Sequence, residues 1–170
     1  MIQPLISAAE IEKLVANIAS EINAFYQGRS IYAVSVLSGS FMFCADLIRK
    51  LSSDVDVNFI TASSYHAAKS TGIVNLDMSK LYVQSFDREI LIIEDIIDTG
   101  LTLHVLINKL KEKGAKSIKV ASLLYKKSKD LKVNIDFKGI EIGDHFVVGY
   151  GLDFNGKYRA LPYIGILDAT

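Results

Sequence analysis

Residues 94–102 hold the densest group of chemically active side chains in the sequence. Three carboxylic acids, Glu94, Asp95 and Asp98, are followed directly by Thr99-Gly100-Leu101-Thr102. Carboxylates can hold sugar hydroxyls, a proton or a metal ion. Hydroxyl groups and the converging amides of a glycine turn can bind a phosphate. This segment therefore predicts a site for a ligand that carries both an anionic group and polar hydroxyls.

The residues on either side of this segment predict how it is positioned. The unbroken aliphatic run 90–93 is typical of a strand that is buried on both faces. Leu103, Leu106, Ile107 and Leu110 then recur at helical spacing. The acids would therefore lie at the carboxyl end of a strand and the Thr-Gly turn at a helix N-terminus, which is where open α/β sheets bind ligands.

A simpler interpretation of the same segment is structural. Asp98 or Thr99 could cap the helix, because short polar side chains are common at that position. Glu94 and Asp95 could then be solvated charges at a strand end. The combination of three acids with Thr-Gly-x-Thr favours a binding site over this alternative.

The rest of the chain alternates between strand and helix patterns, which predicts an α/β domain with a largely parallel sheet. A helix is expected over residues 7–26, with Ser7 and Glu10 as a capping box. Residues 63–79 have no clear period and are expected to form a long mobile loop, which can include short strands. The first helix and the last segment are expected to form a small cap over one end of the sheet. The remaining predicted elements are strands at 31–37, 55–62, 118–125 and 139–148 and a helix at 41–51.

Composition limits the class of protein. The 170 residues fit one domain, since domains usually span roughly 100–200 residues. The 19 basic and 19 acidic residues leave no net charge, which argues against a nucleic-acid or membrane-surface partner. The single cysteine, Cys44, cannot form a disulfide within the chain. Since Glu10 and Glu12 stand where a secretory signal would carry positive charge, a soluble cytoplasmic protein is expected.

Residues 92–102 resemble the 5-phosphoribosyl 1-pyrophosphate (PRPP) motif of type I phosphoribosyltransferases, and most closely the hypoxanthine-guanine version. The resemblance continues in family order along nearly the whole chain. Further matching segments are Leu37-Ser38-Gly39-Ser40, Ser64-Tyr65 with 69–72, 122–126, 146–153 and Tyr158-Arg159.

The resemblance implies a fold and a reaction. The fold would be a single type I phosphoribosyltransferase domain, with a core at about 28–150 and a small hood made by the terminal segments. The reaction would be purine salvage, in which hypoxanthine, and also guanine, takes the ribose phosphate of PRPP and releases pyrophosphate. Mg²⁺ would be the cofactor.

The resemblance also implies which residues form the site. Asp98 would be the general base, and Ser64 and Tyr65 would belong to a loop that closes over the substrates. Ser38, Gly39 and Arg159 would contact pyrophosphate, although the family commonly has Lys or Arg where Ser38 stands. The other residues implied to bind PRPP are Glu94, Asp95, Ile96, Ile97, Thr99, Gly100, Leu101 and Thr102.

The purine end of the site is implied in the same way. Lys126 would donate to the exocyclic oxygen of a 6-oxopurine, Phe146 would stack on its ring, and Val147 would offer backbone groups to its edge. Asp153 would lie at the purine and reach Mg²⁺, which Glu94 and Asp95 would also hold.

Other functions share parts of this pattern. A regulator could keep the PRPP motif and bind RNA or DNA, but it would need a basic face. A related transferase could prefer xanthine or a pyrimidine, and a response-regulator-like domain also places acids at strand ends. The resemblance further implies a homodimer or homotetramer, with small-molecule substrates and no nucleic-acid or membrane partner.

Overall fold

The structure is a computed structural model that describes residues 1–64, 74–79, 81, 88–127 and 131–167. Within these residues the chain forms three helices and nine strands. The helices are α1 (Ala8–Tyr26), α2 (Phe41–Ile48) and α3 (Leu101–Glu112). The strands are β1 (Ile2–Ile6), β2 (Ile31–Leu37), β3 (Val55–Ser64), β4 (Val74–Asp77), β5 (Glu89–Ile97), β6 (Ser117–Lys126), β7 (Phe137–Ile142), β8 (Val147–Val148) and β9 (Ile164–Leu167).

The main sheet has the strand order β4-β3-β2-β5-β6-β7. All neighbours pair in parallel except β3 and β4, which are antiparallel. The chain moves outward in one direction from β2 to β3 and in the other from β5 to β6. Because the order reverses between β2 and β5, the loops that follow these two strands lie side by side at a crevice in the sheet edge.

Helices cover both faces of the main sheet, as predicted. On β5, Leu91 and Ile93 pack in a cluster with α1 and α2, whereas Ile90 and Ile92 pack in a second cluster with α3. This alternation confirms that the aliphatic run is buried on both faces. The rigid centre of the sheet thus supports the segment that carries the acids.

A second sheet joins the two ends of the described chain in the order β1-β9-β8. Its strands are antiparallel, and Ile2 of β1 pairs with Leu167 of β9. The terminal segments therefore form a small hood. From the sequence, α1 was expected to be the N-terminal part of this hood, but that part is β1. The buried residues of α1 pack instead in the core cluster that covers the main sheet.

Two other predicted elements were wrong in extent. The predicted strand at 139–148 divides, because β7 ends at Ile142 and Val147–Val148 belongs to the hood. The turn-forming Gly143-Asp144 pair separates the two parts. The predicted helix at 41–51 ends at Ile48. The predicted loop at 63–79 contains short strand segments, as the sequence analysis allowed, namely the end of β3 and all of β4.

Helix α1 begins with the predicted capping box. The hydroxyl of Ser7 accepts a bond from the amide of Glu10 at 3.3 Å, and the Glu10 carboxylate accepts from the amide of Ser7 at 2.8 Å. None of the helices in the described parts of the chain combines the length and apolar composition that crossing a bilayer requires.

Candidate active site

Hydrogen bonds between buried groups fix the loop between β2 and α2. The hydroxyls of Ser35 and Ser40 are buried and lie 2.7 Å apart, which ties the end of β2 to the start of α2. The Ser40 hydroxyl also donates to the carbonyl of Val36 at 2.5 Å. Ser38 and Gly39, the two residues predicted to contact pyrophosphate, form the tip of this loop. A fixed loop of this kind presents its backbone groups without reorganisation.

Glu94 and Asp95 lie near the end of β5 and are 9% and 8% exposed. Burial raises the pKa of Glu94 well above its usual range, and the neighbouring Asp95 raises it further. Burial also raises the pKa of Asp95, although bonds from Glu94 and backbone amides and the charge of Arg159 oppose this. The alternative of solvated strand-end charges is therefore wrong. The two acids form a buried pair, and the pKa of each remains raised even though the charge of Arg159 acts on Asp95.

The turn from β5 into α3 passes through Asp98, Thr99 and Gly100. Gly100 is the N-cap residue, with φ of 75°, and has no side chain to cap the helix. The Thr99 hydroxyl accepts only a long local bond, 3.4 Å, from the amide of Leu101. The capping role considered for Asp98 is therefore not found in the described contacts.

Gly100 is required by packing as well as by conformation. A Cβ at this position would lie 2.8 Å from Cγ2 of Val133. Intrahelical bonds begin with the amide of His104, which donates to the carbonyl of Gly100 at 2.9 Å. The preceding amides of the first turn are therefore free of intrahelical partners, as expected at a helix N-terminus. They are available to an anion.

Lys126 ends β6, next to the turn that carries Asp98. Its ammonium lies 2.9 Å from a carboxylate oxygen of Asp144 and 3.9 Å from one of Asp98. Phe146 is 53% exposed and meets Phe154 edge to face, with ring centroids 5.7 Å apart. A cation and an open aromatic face therefore stand beside a carboxylate.

Asp153 and Arg159 form an ion pair of 2.9 Å in the C-terminal region. Arg159 also donates to the carbonyl of Gly151 at 2.6 Å, and Asp153 accepts from the amide of Gly156 at 2.7 Å. These contacts fix the guanidinium at the edge of the crevice.

Two adjoining cavities bring the predicted residues together. One, of about 320 Å³, is lined by Gly39 and by every residue from Glu94 to Leu103. The other, of about 350 Å³, is lined by Ser38, Gly39, Asp95, Ile96, Asp98, Lys126, His145, Phe146, Val147, Leu152, Asp153 and Arg159. Because the two share Gly39, Asp95, Ile96 and Asp98, they are parts of one crevice. The first is called the phosphate end and the second the base end, after the ligands that the family resemblance implies for their residues.

The described part of the chain leaves two predicted site residues, Ser64 and Tyr65, untested. Ser64 ends β3, and its backbone pairs with Val74. Tyr65 and the segment 69–72 lie outside the described residues. Their role in closing the site stays a prediction.

Sequence reasoning also missed residues that line or support the base end. His145 lines that cavity, and Asp144 pairs with Lys126. A turn signal was present, because Gly143-Asp144 interrupts the predicted strand just before Phe146.

A family model described as phosphoribosyl transferase domain matches residues 6–155. This chain belongs to the phosphoribosyl transferase family. The match covers the main sheet and every lining residue of the crevice except Arg159, so the enzyme is a phosphoribosyltransferase.

Similar proteins are named as members of the same family. A hypoxanthine-guanine phosphoribosyltransferase from Bacillus subtilis (strain 168) is 44% identical over 165 residues, which are 96% of this chain and 91% of that protein. A hypoxanthine-guanine-xanthine phosphoribosyltransferase from Tritrichomonas foetus is 40% identical and aligns with 93% of this chain and 87% of its own. A crystal structure of a hypoxanthine-guanine phosphoribosyltransferase from Bacillus anthracis superposes with a TM-score of 0.90 at 38% identity, covering 99% of this chain and 100% of that one. The phosphoribosyltransferase thus has the type I fold predicted from its sequence.

Phosphoribosyl transfer generally uses a divalent metal ion, and the donor set of this phosphoribosyltransferase fits one. Among the residues that the structure describes, no group of three or more His, Cys, Asp or Glu side chains forms a complete cage. The pKa values of the buried Glu94–Asp95 pair are raised, however, so a cation would stabilise the ionised form of both acids. Mg²⁺ is usually bound by one or two carboxylates together with substrate phosphates.

Proposed function

We propose that this phosphoribosyltransferase transfers the 5-phosphoribosyl group of PRPP to hypoxanthine and guanine, forming IMP and GMP and releasing pyrophosphate, with Mg²⁺ as cofactor. The observation that carries the proposal is the crevice with two ends. The phosphate end contains the N-terminus of α3, and the base end contains the cation of Lys126 and the exposed ring of Phe146. The buried acid Glu94 lines the phosphate end, and Asp95 lines both ends.

The 5-phosphate binds at the turn before α3. The free amides at the start of the helix and the positive end of its dipole favour an anion there. Thr99 and Thr102 add hydroxyl donors, and Gly100 allows the backbone to approach closely. Leu101 contributes its amide, so its apolar side chain is compatible with this role.

The ribose and the pyrophosphate occupy the middle of the crevice. Glu94 and Asp95 would hold the ribose hydroxyls, and together with Asp153 they would hold Mg²⁺. Mg²⁺ supplies positive charge against which negative charge can develop on the leaving group. The amides of Ser38 and Gly39 and the guanidinium of Arg159 bind the pyrophosphate, and Arg159 is already oriented by its pairing with Asp153.

The purine binds between Lys126 and Phe146, with Val147 at its edge. Lys126 donates to the exocyclic oxygen at position 6, and adenine is disfavoured because its amino group would meet a donor. Asp98 accepts the imidazole proton as the ring nitrogen attacks the ribose. The 3.9 Å between Asp98 and Lys126 is consistent with both acting on one bound base.

Closure of the site completes the proposed reaction cycle. Ser64 and Tyr65 would cover the reacting atoms and exclude water, as lids do. The support for this step is the family resemblance alone.

A substrate panel tests the proposed function. Pyrophosphate release would be measured with PRPP, Mg²⁺ and each of hypoxanthine, guanine, xanthine, adenine and uracil. We expect turnover with hypoxanthine and guanine and little with adenine or uracil. Turnover confined to adenine or uracil, or no turnover with any base, would contradict the proposal.

Xanthine is the second candidate base, because the Tritrichomonas foetus relative includes it in its name. Xanthine shares the position-6 oxygen that Lys126 is proposed to contact, so this contact does not separate it from hypoxanthine. The relative rates in the panel decide between the two specificities.

We further propose that the enzyme is a homodimer or homotetramer located in the cytoplasm. The support is the family resemblance, and a solved relative from Trypanosoma cruzi was studied for its oligomeric state. Light scattering of the purified protein and fractionation of cells test these two points, and a monomer at micromolar concentration would contradict the first.

A further inference from the structure

The segment Gly149-Tyr150-Gly151 has an unusual backbone. All three residues have positive φ, at 99°, 48° and 98°. Glycine adopts such angles freely, but a bulky side chain does so rarely and at a cost in free energy. Tyr150 must therefore be held in this conformation by its surroundings.

This segment runs between two residues of the base end of the crevice and lies against the loop that contains Gly39. It follows Val147–Val148, at the base end, and precedes Asp153. A Cβ on Gly151 would lie 2.2 Å from the carbonyl oxygen of Gly39, so the segment lies directly against the loop proposed to bind pyrophosphate. A shift of the segment would therefore change both binding regions.

The side chain of Tyr150 anchors the segment to α2. Tyr150 is 6% exposed, and its hydroxyl donates to Oδ2 of Asp46 at 2.6 Å. Burial and the bond to Asp46 raise the pKa of Tyr150 far above its usual value, so the hydroxyl remains a donor at neutral pH. Helix α2 begins at Phe41, immediately after the pyrophosphate loop, so the bond joins the hood segment to the element that carries this loop.

We propose that the hydrogen bond between Tyr150 and Asp46 positions the base-binding segment against the pyrophosphate loop and so couples purine binding to PRPP binding. This inference rests on the proposed function. Tyr150 and Asp46 are positioning residues, since they act through Gly151, Gly39 and Val147.

Three variants test the coupling. Tyr150→Phe removes the donor, and Asp46→Ala removes the acceptor. Asp46→Asn keeps an amide oxygen that can still accept the bond, so it should rescue much of the loss. Tyr32→Phe is the matched control, because Tyr32 is fully buried and its hydroxyl has no hydrogen-bond partner in the described part of the chain.

The readouts are steady-state constants and a binding cycle. Calorimetry would give the Kd of 9-deazahypoxanthine, which lacks the attacking nitrogen, with and without PRPP and Mg²⁺. For Tyr150→Phe and Asp46→Ala we expect the KM of both substrates to rise about tenfold, with kcat nearly unchanged, and the effect of PRPP on the analogue's Kd to shrink about tenfold. The double variant should lose no more than either single variant, because all three lack the same bond.

A purely structural role would lower Tm and leave the KM values and the binding cycle unchanged, and that result would overturn the inference. If Tyr150→Phe does not fold, the comparison of Asp46→Asn with Asp46→Ala decides in the same way. Failure of the proposed function is distinguishable, since the parent enzyme would then neither turn over purines nor bind the analogue.

Discussion

The carboxylate of Asp95 fills the space in which a side chain at residue 39 would begin. A Cβ built on Gly39 would lie 1.8 Å from Oδ2 of Asp95, closer than any real contact. The acid that would hold the ribose and the loop that would hold the pyrophosphate are therefore packed with no space between them. Glycine is required at position 39 because of this contact.

We predict that Gly39→Ala weakens PRPP binding. The added methyl group would push Asp95 or the loop out of place, and crowding of this kind in a packed region costs about 1–3 kcal/mol. The KM for PRPP should rise about tenfold or more, with a smaller change in the KM for hypoxanthine. Steady-state kinetics and calorimetric titration with pyrophosphate measure both effects.

Gly28→Ala is the control for this change. Gly28 has φ of 81° but no heavy atom within 4 Å of the added Cβ, so the substitution strains the backbone without crowding the site. We expect a lower Tm and unchanged KM values for Gly28→Ala. If Gly39→Ala behaved in the same way, the packing argument would be wrong.

The capping box at α1 yields a prediction about stability. Ser7→Ala removes the bond that the Ser7 hydroxyl accepts from the amide of Glu10, so Tm should fall by about 2–4 °C, while kcat and KM remain unchanged. Differential scanning calorimetry measures the change. An unchanged Tm at neutral pH would contradict the prediction.

The pH dependence of the same difference has a definite sign. Bonds from the hydroxyl and amide of Ser7 lower the pKa of Glu10 below its ordinary value of 4.5. A lowered pKa in the folded state gives stability that is present above 4.5 and is lost as the pH falls through the folded value. The Tm difference between the parent and Ser7→Ala should therefore shrink at low pH, and a difference that grew would contradict this sign.

The strand, turn and helix around residues 90–110 could be predicted from sequence because their signals are local. An aliphatic run and a helical repeat adjoin in the chain, and each element forms where its own residues indicate. The predicted residues 94–102 all line the crevice for this reason.

The hood and the supporting bonds could not be predicted in the same way, because they depend on residues far apart in the chain. Ile2 pairs with Leu167, and Tyr150 donates to Asp46 across 104 positions. A strand of two residues, such as Val147–Val148, is too short to show the alternating pattern by which strands are predicted from sequence. Its stability comes from pairing with β9. Local patterns therefore predicted the segment 94–102, whereas the residues of the base end were implied by the family resemblance, and the contacts that hold them were not predicted.

We predict that Asp98→Asn reduces kcat by a hundredfold or more, within the ~10²–10⁴-fold contribution of a general base. Asparagine has nearly the same shape but cannot accept the proton of the purine. Binding of IMP should change little, since the turn at Thr99 and Gly100 is unaltered. Steady-state assays measure kcat, and calorimetric titration measures the Kd of IMP.

Asp54→Asn is the matched control for Asp98→Asn. Asp54 is an exposed acid before β3, at the end of the sheet opposite the crevice, and its replacement should leave kcat unchanged. Turnover by Asp98→Asn at near the parent rate would show that Asp98 is not the base.

We predict that Lys126→Met lowers kcat/KM for hypoxanthine about a hundredfold and reduces the preference for hypoxanthine over adenine, because the donor to the position-6 oxygen is lost. Asp144→Asn tests whether the ion pair itself matters. The Asp144 side chain is 98% exposed, and exposed ion pairs contribute little, so this variant should stay within about fivefold of the parent. Rates with both purines measure the effects. If Lys126→Met retained the parent preference, the base would be selected by another group.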